Sequence, residues 1–319
     1  MLKKVLIARP LPEVVLAEAR KHFDVVVREE TKPMSQDEMQ AALRDFDGVM
    51  PTLGDMFQPP IFAAVNEPRC QILANFGVGY NHIDAAAASA AGLTVTNTPG
   101  AVTDATADIA MTLMLMSARR AGEGERLVRS GAWEGWHPTQ MLGLHLSGKT
   151  VGIVGMGRIG KAIAQRCHFG FGMKVAYVSR SPKSLPFEAL AFESLTEMAG
   201  AVDVMVIAVP GGVETYHLIN ADVFKAMQPH AHLVNISRGD VVEEAALITA
   251  LSSGHIGGAG LDVYEFEPGV PQALKDLENV VLLPHLGTAA LEVRSDMGLM
   301  AVANLKAVLV DGIPAPNSV

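Results

Sequence analysis

One short stretch, residues 149–181, constrains the fold of this chain more than any other. An apolar run at residues 151–154 leads directly into the sequence G-M-G-R-I-G, and an amphipathic segment follows to about Phe169. A second apolar run then spans residues 174–178. The order is strand, glycine turn, helix, strand, which is typical of a dinucleotide-binding unit rather than of an isolated glycine-rich turn.

Each position of the glycine turn has a physical purpose in such a unit. Gly155 permits the tight turn, Gly157 lets the backbone approach a pyrophosphate, and Gly160 lets the helix pack closely on the strand. The helix that starts near Arg158 and Ile159 presents free N–H groups and a partial positive charge to the phosphates. These five residues are therefore the predicted pyrophosphate site.

The end of the second strand indicates which dinucleotide binds. An NAD site usually has an acidic residue there, which accepts a hydrogen bond from the ribose 2′-hydroxyl. Here the chain reads Ser179-Arg180-Ser181. A guanidinium and two hydroxyls suit a 2′-phosphate, whereas a carboxylate would repel it. We therefore expect NADP(H) in preference to NAD(H), with a solvated surface cation as the other interpretation of Arg180.

Composition narrows the class of protein further. A chain of 319 residues that is 49% apolar suggests about two domains with sizeable cores. The formal charge of −9 argues against a nucleic-acid or anionic-membrane partner. Cys70 and Cys167 show neither metal-binding nor redox spacing, so we expect no metal and a reducing, cytoplasmic location. The most lipid-like segment, residues 109–118, is too short to span a bilayer.

Short apolar runs alternate with helical patterns along most of the chain, which predicts α/β architecture with two doubly wound parallel sheets. The predicted strands of the first part are at residues 4–8, 23–27, 48–50, 71–74 and 94–96. The predicted strands of the second part, six in all, are at residues 151–154, 174–178, 204–209, 233–236, 258–263 and 280–283. A long apolar helix is expected over residues 104–120, after a boundary turn at residues 97–100, and another over 289–310.

Residues 121–147 have poor periodicity and contain both tryptophans, Trp133 and Trp136. A long connection with large aromatic side chains is usually functional or buried by a partner. We expect an arm that packs against a second subunit; a loop folded on its own domain is the alternative.

Three strands of the second part end in polar residues that the fold brings to one crevice with the glycine turn. The first carries Arg238, the second Asp262 and then Glu267, and the third His285. This set suits reduction of a 2-oxo acid, because Arg238 can grip a carboxylate and His285 can protonate a carbonyl oxygen. Glu267 would hold the tautomer of the imidazole and favour its charged form.

Two glycine-containing loops lie at strand ends of the first part. One is residues 52–55, which include Leu53, and the other is residues 75–82. The second has backbone N–H groups that could bind an anion. An ordinary strand-to-helix turn is the alternative.

Together these blocks resemble the D-2-hydroxyacid dehydrogenase family. The resemblance rests on residues 152–160, 236–240, 258–268 and 284–289, with residues 76–84 similar to the family's substrate loop. It implies that Arg238 binds and polarises the substrate, that Glu267 orients His285, and that His285 is the acid/base. It also implies a homodimer whose cleft closes on the substrate.

The same resemblance implies a domain plan and further contacts. Residues 1–98 with 288–319 would form a flavodoxin-like substrate domain, and residues 99–287 a Rossmann NAD(P)-binding domain with the arm at about 121–147. The implied substrate contacts are Leu53, Val78, Gly79, Arg238, His285 and Trp136, the last from the partner. The implied cofactor contacts besides the glycine turn and residues 179–181 are Thr106, Val209, Pro210, Ile236, Asp262 and Gly287.

Within the family, the chain looks most like the glyoxylate/hydroxypyruvate reductases. The expected activity is therefore NADPH-dependent reduction of glyoxylate to glycolate and of hydroxypyruvate to D-glycerate. Two alternatives remain open. One is the same chemistry on another 2-oxo acid, such as 2-ketogluconate or a branched-chain acid. The other is a dinucleotide-sensing binding protein, similar to the related corepressors.

Overall fold

The computed structural model describes residues 1–319, and the chain divides into two compact units. The first unit comprises Met1–Val102 and Ala289–Val319, and the second comprises Thr103–Thr288. The first boundary falls after Val102 rather than after residue 98. The reason is that the long helix begins only at Thr103, so the turn before it stays with the first unit.

The first unit is built on a five-stranded parallel sheet with the order β2-β1-β3-β4-β5. This is the flavodoxin-like order, in which the direction of winding reverses between β1 and β3. Its strands are β1 (Lys3–Ile7), β2 (Phe23–Val27), β3 (Gly48–Met50), β4 (Ile72–Ala74) and β5 (Thr94–Thr96). The strands are short and apolar, as expected for a sheet buried on both faces.

Helices cover both faces of this sheet. They are α1 (Glu13–His22), α2 (Gln36–Asp45), α3 (Pro59–Ala63), α4 (Ala85–Ala90) and, from the end of the chain, α12 (Leu291–Lys306). One face packs against α2, α3 and α4, and the other against α1 and α12. The contact between α1 and α12 is close, since a Cβ at Gly298 would lie 2.5 Å from Cγ2 of Val15.

The second unit is built on a seven-stranded parallel sheet with the order β12-β11-β10-β9-β6-β7-β8. This is the doubly wound dinucleotide-binding order with one added strand. Its strands are β6 (Thr150–Val154), β7 (Lys174–Val178), β8 (Ala189–Ala191), β9 (Val204–Ile207), β10 (His232–Asn235), β11 (Gly258–Leu261) and β12 (Val280–Leu282). The predicted α/β architecture with two parallel sheets is confirmed, but the prediction of six strands is wrong. The missing strand, β8, is a three-residue edge strand with an exposed Leu190, and its short apolar run was not among the predicted strands.

The helices of the second unit are α5 (Thr103–Ala118), α6 (Ala121–Arg129), α7 (Arg158–Gln165), α8 (Leu195–Ala201), α9 (Ala221–Ala226), α10 (Glu244–Ser252) and α11 (Gln272–Lys275). A π-helical turn, Arg166–Gly170, continues α7. One face of the sheet packs against α5 and α7, and the other against α8, α9 and α10. Helix α6 forms the first part of residues 121–147, the segment whose sequence has poor periodicity.

No helix of the structure combines the length and the apolar character that crossing a bilayer requires.

Candidate active site

The glycine turn joins β6 to α7 at the carboxyl edge of the second sheet. Gly155 has φ +99°, a conformation that disfavours side chains, and a Cβ there would lie 2.7 Å from Cγ1 of Val209. A Cβ at Gly160 would lie 2.2 Å from the carbonyl oxygen of Gly155. Both positions therefore exclude any side chain, and the helix and strand approach each other as closely as a dinucleotide-binding turn requires.

The start of α7 offers donors to an anion. The first helical hydrogen bond runs from Lys161 N to Gly157 O at 2.9 Å, so the N–H groups of residues 158–160 have no intrahelical acceptor. A Cβ at Gly157 would meet no atom within 4 Å, so the surface beside the turn is open there. Free donors, a helix dipole and an open backbone fit the pyrophosphate of a dinucleotide.

The segment after β7, which is predicted to meet the adenosine end of the cofactor, carries two cations. Arg180 extends into solvent with 88% of its side chain exposed, and its Nη1 lies 3.6 Å from Oε2 of Glu214. Lys183, which the sequence analysis did not single out, donates from Nζ to Oγ of Ser181 at 2.7 Å. Ser179 is half-buried beside them. Two cations and two hydroxyls therefore share one short segment.

The other predicted cofactor contacts lie along the same edge of the sheet. Val209 and Pro210 follow β9 and Ile236 follows β10. Thr106, in the first turn of α5, is buried and donates from Oγ1 to the carbonyl oxygen of Gly287 at 3.2 Å. Thr106 and Gly287 are thus in direct contact.

Asn235, the last residue of β10, shapes the loop that carries Arg238. Its Nδ2 donates to Arg238 O at 2.9 Å, and its Oδ1 accepts from Ser237 N at 3.0 Å and from Ser237 Oγ at 3.1 Å. The Arg238 side chain makes one hydrogen bond within the protein, from Nη1 to Ser237 O at 2.7 Å. Its other guanidinium donors have no protein acceptor, so they are available to an anionic ligand.

Burial lowers the pKa of Arg238, while the charges of Glu267 and Asp240 oppose that effect. An arginine keeps its proton despite such a shift, because its ordinary pKa is far above neutrality. Arg238 is therefore a half-buried cation with unused donors, a combination that favours a bound carboxylate.

Gly239 places the arginine loop against the glutamate loop. A Cβ at Gly239 would lie 1.8 Å from the carbonyl carbon of Tyr264 and 2.3 Å from Glu265 N. Because these are backbone atoms, no rotamer change could make room. The absence of a side chain at Gly239 is therefore what allows Arg238 and Glu267 to lie on touching loops.

Glu267 and His285 form a hydrogen-bonded pair. Nδ1 of His285 lies 2.8 Å from Oε2 of Glu267, and the other oxygen of Glu267 accepts from Tyr264 N at 3.1 Å. The side chains are 31% and 29% exposed for His285 and Glu267, so the pair borders solvent. Burial raises the pKa of Glu267, but the hydrogen bond and charge of His285, the Tyr264 N–H and the charge of Arg238 together bring that pKa below its usual value.

Asp262 fixes the backbone of the histidine loop. Its carbonyl oxygen accepts from His285 N at 3.0 Å, its Oδ1 from Leu286 N at 2.6 Å and its Oδ2 from Gly287 N at 2.8 Å. His285 has φ +55°, an uncommon conformation for a residue with a side chain. Three consecutive N–H groups held by one aspartate stabilise this turn and point the imidazole at Glu267. Asp262 is only 1% exposed, so a contact between this residue and a cofactor stays a prediction.

The predicted substrate residues of the first unit lie on loops at the carboxyl ends of its strands. Leu53 follows β3 and is 43% exposed. Val78 and Gly79 follow β4 and are half-buried. Trp136 belongs to the second unit and lies in the irregular segment after α6, with 79% of its surface exposed.

Several residues that shape these loops were missed by the sequence analysis. They are Asn75, Asn235, Gly239 and Lys183. Asn75 and Asn235 share a signal that sequence could supply, since each follows an apolar run and precedes a glycine-containing loop. Asparagine in that position often bonds to the backbone that follows it.

The fold and the site together define a dinucleotide-dependent oxidoreductase. The defining features are the doubly wound sheet, the glycine turn and the set of Arg238, Glu267 and His285. The family model for the D-isomer specific 2-hydroxyacid dehydrogenase, NAD binding domain, matches residues 111–287. The chain belongs to the D-isomer specific 2-hydroxyacid dehydrogenase family. The resemblance described above is thereby confirmed.

Individual relatives agree with that assignment. The chain is 44% identical to the glyoxylate reductase of Thermococcus onnurineus over 96% of this chain and 92% of the relative. It is 36% identical to the glycerate dehydrogenase of Hyphomicrobium methylovorum over 94% of each chain. A crystal structure of the NADPH-dependent glyoxylate/hydroxypyruvate reductase of Sinorhizobium meliloti, in complex with NADP and malonate, superposes with a TM-score of 0.88 at 39% identity, covering 100% of this chain and 97% of that one.

Proposed function

We propose that this protein reduces small 2-oxo acids with NADPH, with glyoxylate and hydroxypyruvate as the first substrates to test. The products are glycolate and D-glycerate. The observation that carries this proposal is the 2.8 Å hydrogen bond between His285 and Glu267, next to the loop of Arg238 on the sheet edge of the glycine turn. The choice of substrate is supported by two relatives, the glyoxylate reductase of Thermococcus onnurineus and the glyoxylate/hydroxypyruvate reductase of Sinorhizobium meliloti.

His285 is the proton donor in this proposal. Its Nδ1 faces a carboxylate that can only accept, so Nδ1 carries a proton and Nε2 is the ring nitrogen left for the substrate. In the charged form of the imidazole, Nε2 donates its proton to the carbonyl oxygen of the substrate. Glu267 stabilises that charged form and holds the ring in place. When bound, the nicotinamide supplies the hydride that the carbonyl carbon receives.

Arg238 binds and polarises the 2-oxo acid. Its unpaired guanidinium donors can form two parallel hydrogen bonds to the substrate, which orients the carbonyl for reaction. The N–H groups of Val78 and Gly79 provide further donors for the carboxylate in this proposal. Both sets of donors recognise the carboxylate beside the 2-oxo group, which all small 2-oxo acids share.

The preference for NADPH rests on residues 179–183. Arg180, Lys183 and the hydroxyls of Ser179 and Ser181 suit a 2′-phosphate, and this segment has no carboxylate to hold a free ribose hydroxyl. The related structure from Sinorhizobium meliloti was obtained with NADP. NAD(H) remains the alternative cofactor.

The functional form is a homodimer in this proposal, with residues 121–147 packing on a partner. Helix α6 has no buried residue, and Val128, Trp133, Trp136 and Leu142 are all exposed. Such a group of apolar side chains on one segment favours burial against another chain. Trp136 would reach the substrate site of that partner.

Cys70 and Cys167 are buried and unpaired, which supports a location in the cytoplasm.

One absorbance experiment at the nicotinamide band tests the proposal. NADPH and NADH are each combined with glyoxylate, hydroxypyruvate, 2-ketogluconate and a branched-chain 2-oxo acid. We expect the highest kcat/KM for NADPH with glyoxylate or hydroxypyruvate. A higher kcat/KM with either of the other two acids would reassign the substrate, and no turnover with any pair would overturn the activity.

A further inference from the structure

The loop after β4, residues 75–82, has its carbonyl groups held by side chains and backbone of the first unit. Gly77 O accepts from Asn75 Nδ2 at 3.0 Å and from Thr98 N at 3.1 Å. Val78 O accepts from Asn97 Nδ2 at 2.9 Å, and Gly79 O accepts from Asn75 Nδ2 at 3.1 Å. Three consecutive carbonyl oxygens therefore have donors within the protein.

The N–H groups of Val78 and Gly79, in the same loop, donate to no acceptor within the protein. Both residues are only half-buried, so a ligand can reach these donors. Consecutive free N–H groups on a tight loop form a concavity that binds anions. Because the carbonyls are tied to the protein on the other side, the loop presents donors rather than acceptors to a ligand.

Asn75 contributes most to this arrangement. It is completely buried, and its carboxamide bonds to both Gly77 and Gly79. The orientation of the amide follows from those partners, since two carbonyl oxygens require the NH₂ group to face them. The amide oxygen then faces Nε2 of His82 at 3.0 Å, so that nitrogen is the donor. One side chain thus connects both ends of the loop.

We propose that Asn75 is the positioning residue for recognition of the substrate carboxylate. It acts by holding the loop so that the N–H groups of Val78 and Gly79 face the ligand, and it does not itself touch the substrate. The inference rests on the proposed function for the identity of the ligand, a small monocarboxylate that carries a 2-oxo group. It assigns the selectivity for an acid over the corresponding amide to a residue outside the reacting set.

The variant Asn75→Asp tests this inference. The replacement is isosteric, but it puts acceptor oxygens against the carbonyls of Gly77 and Gly79 and adds a negative charge behind the anion site. Loss of hydrogen bonds to a charged group weakens binding by about tenfold or more, so we expect the KM for glyoxylate to rise by about that factor. The kcat should change little, because the carboxylate is bound in the ground state and the transition state alike.

A matched control is Asn304→Asp, which places a carboxylate at another fully buried asparagine of the same unit. Asn304 bonds to Asn97 O at 3.4 Å and to Nδ2 of Asn317 at 3.1 Å and makes no hydrogen bond to residues 75–82. We expect this control to lower the melting temperature without raising the KM for glyoxylate. Equal rises in KM for the two variants would make the effect a general one of stability and overturn the inference.

A binding measurement separates the inference from the proposed function. Calorimetry with oxalate, an unreactive dicarboxylate, in the presence of saturating NADP should show binding to the parent protein and at least about tenfold weaker binding to Asn75→Asp. If the parent binds oxalate but reduces no 2-oxo acid, the proposed function fails and the comparison still tests the loop. Equal affinity in parent and variant, or no binding to the parent, overturns the role of Asn75. Should Asn75→Asp not fold, Asn75→Ser removes donors without adding a charge and serves in its place.

Discussion

Nδ1 of His285 lies 2.8 Å from Oε2 of Glu267, and the backbone N–H of His285 is held at 3.0 Å by the carbonyl of Asp262. The ring and the backbone of this histidine are therefore fixed by different neighbours on the same adjoining loop. A proton donor must be held in place, because misplacement by about 1 Å can cost two orders of magnitude in rate. This geometry accounts for the φ of +55° at a residue with a bulky side chain.

The pairing of Glu267 predicts a stability that depends on pH. The pKa of Glu267 in the folded protein lies below its usual value, because its hydrogen bonds and nearby cations outweigh burial. Its ionised form therefore stabilises the fold above about pH 4.3, the unfolded value, and that contribution is lost as pH falls through the folded pKa. We expect the gap in melting temperature between the parent and Glu267→Gln to be fully present at pH 6 and to narrow as pH is lowered below 4. Thermal melts across that range check this, and a constant gap would contradict it.

Gly157→Ala should weaken cofactor binding without changing stability. An added Cβ meets no protein atom within 4 Å, so the free energy of unfolding should stay within about 0.5 kcal/mol of that of the parent. The methyl group would instead occupy the space through which the pyrophosphate approaches. We expect about tenfold weaker NADPH binding by fluorescence titration. Gly170→Ala, also in open space but outside the turn, is the control, and equal NADPH affinity in both variants would place the phosphates elsewhere.

Arg180→Ala should separate the two cofactors. Loss of a charge-assisted hydrogen bond to a 2′-phosphate costs about 1.5–3 kcal/mol, so the KM for NADPH should rise about tenfold or more while that for NADH stays the same. Glu214→Gln should have the opposite effect on NADPH, because Glu214 now lies 3.6 Å from Arg180 and repels a phosphate. Lys174→Ala, which removes an exposed cation at the opposite end of β7, is the control. Losses of the same size with NADPH and NADH would show that Arg180 does not meet the phosphate.

Much of the fold follows from sequence because its strands are short, apolar and separated by helical patterns. The exceptions have local causes. Helix α6 contains Gly122 and Gly124, each of which lowers helix propensity by about 1 kcal/mol relative to alanine. Ion pairs within the segment, such as Arg120 with Glu123 at 2.7 Å, support a helix that the pattern of apolar residues does not indicate.

In the candidate site, too, some features could be predicted from sequence and others could not. Glycines and charged residues at strand ends can be found from sequence, because parallel sheets collect those ends at one edge. The partners of Asn75 and Asn235 could not be found, because a side-chain amide bonds to whichever carbonyl the folded loop brings near. For Asp262, sequence indicated a polar residue in the crevice but not that both carboxylate oxygens accept backbone N–H groups.

Trp136→Ala should alter assembly or substrate choice. The indole is 79% exposed in the single chain, and its burial against a partner would contribute about 25 cal/mol for each Å² removed from water. We expect a weaker dimer by sedimentation velocity, or a changed ratio of kcat/KM between glyoxylate and hydroxypyruvate. Leu190→Ala, at an exposed position on the edge strand β8, is the control. A variant that matches the parent in both measurements would show that residues 121–147 are a loop folded on its own unit.

The turnover of His285→Ala tests the central claim most directly. His230→Ala is a matched control, since Nε2 of His230 also lies 2.8 Å from a carboxylate, that of Asp203, in the same unit. General acid catalysis by histidine contributes about 10² to 10⁴-fold. We expect kcat for glyoxylate with NADPH to fall by that factor in His285→Ala alone, with NADPH affinity unchanged. A kcat close to that of the parent would contradict the assignment of His285 as the proton donor.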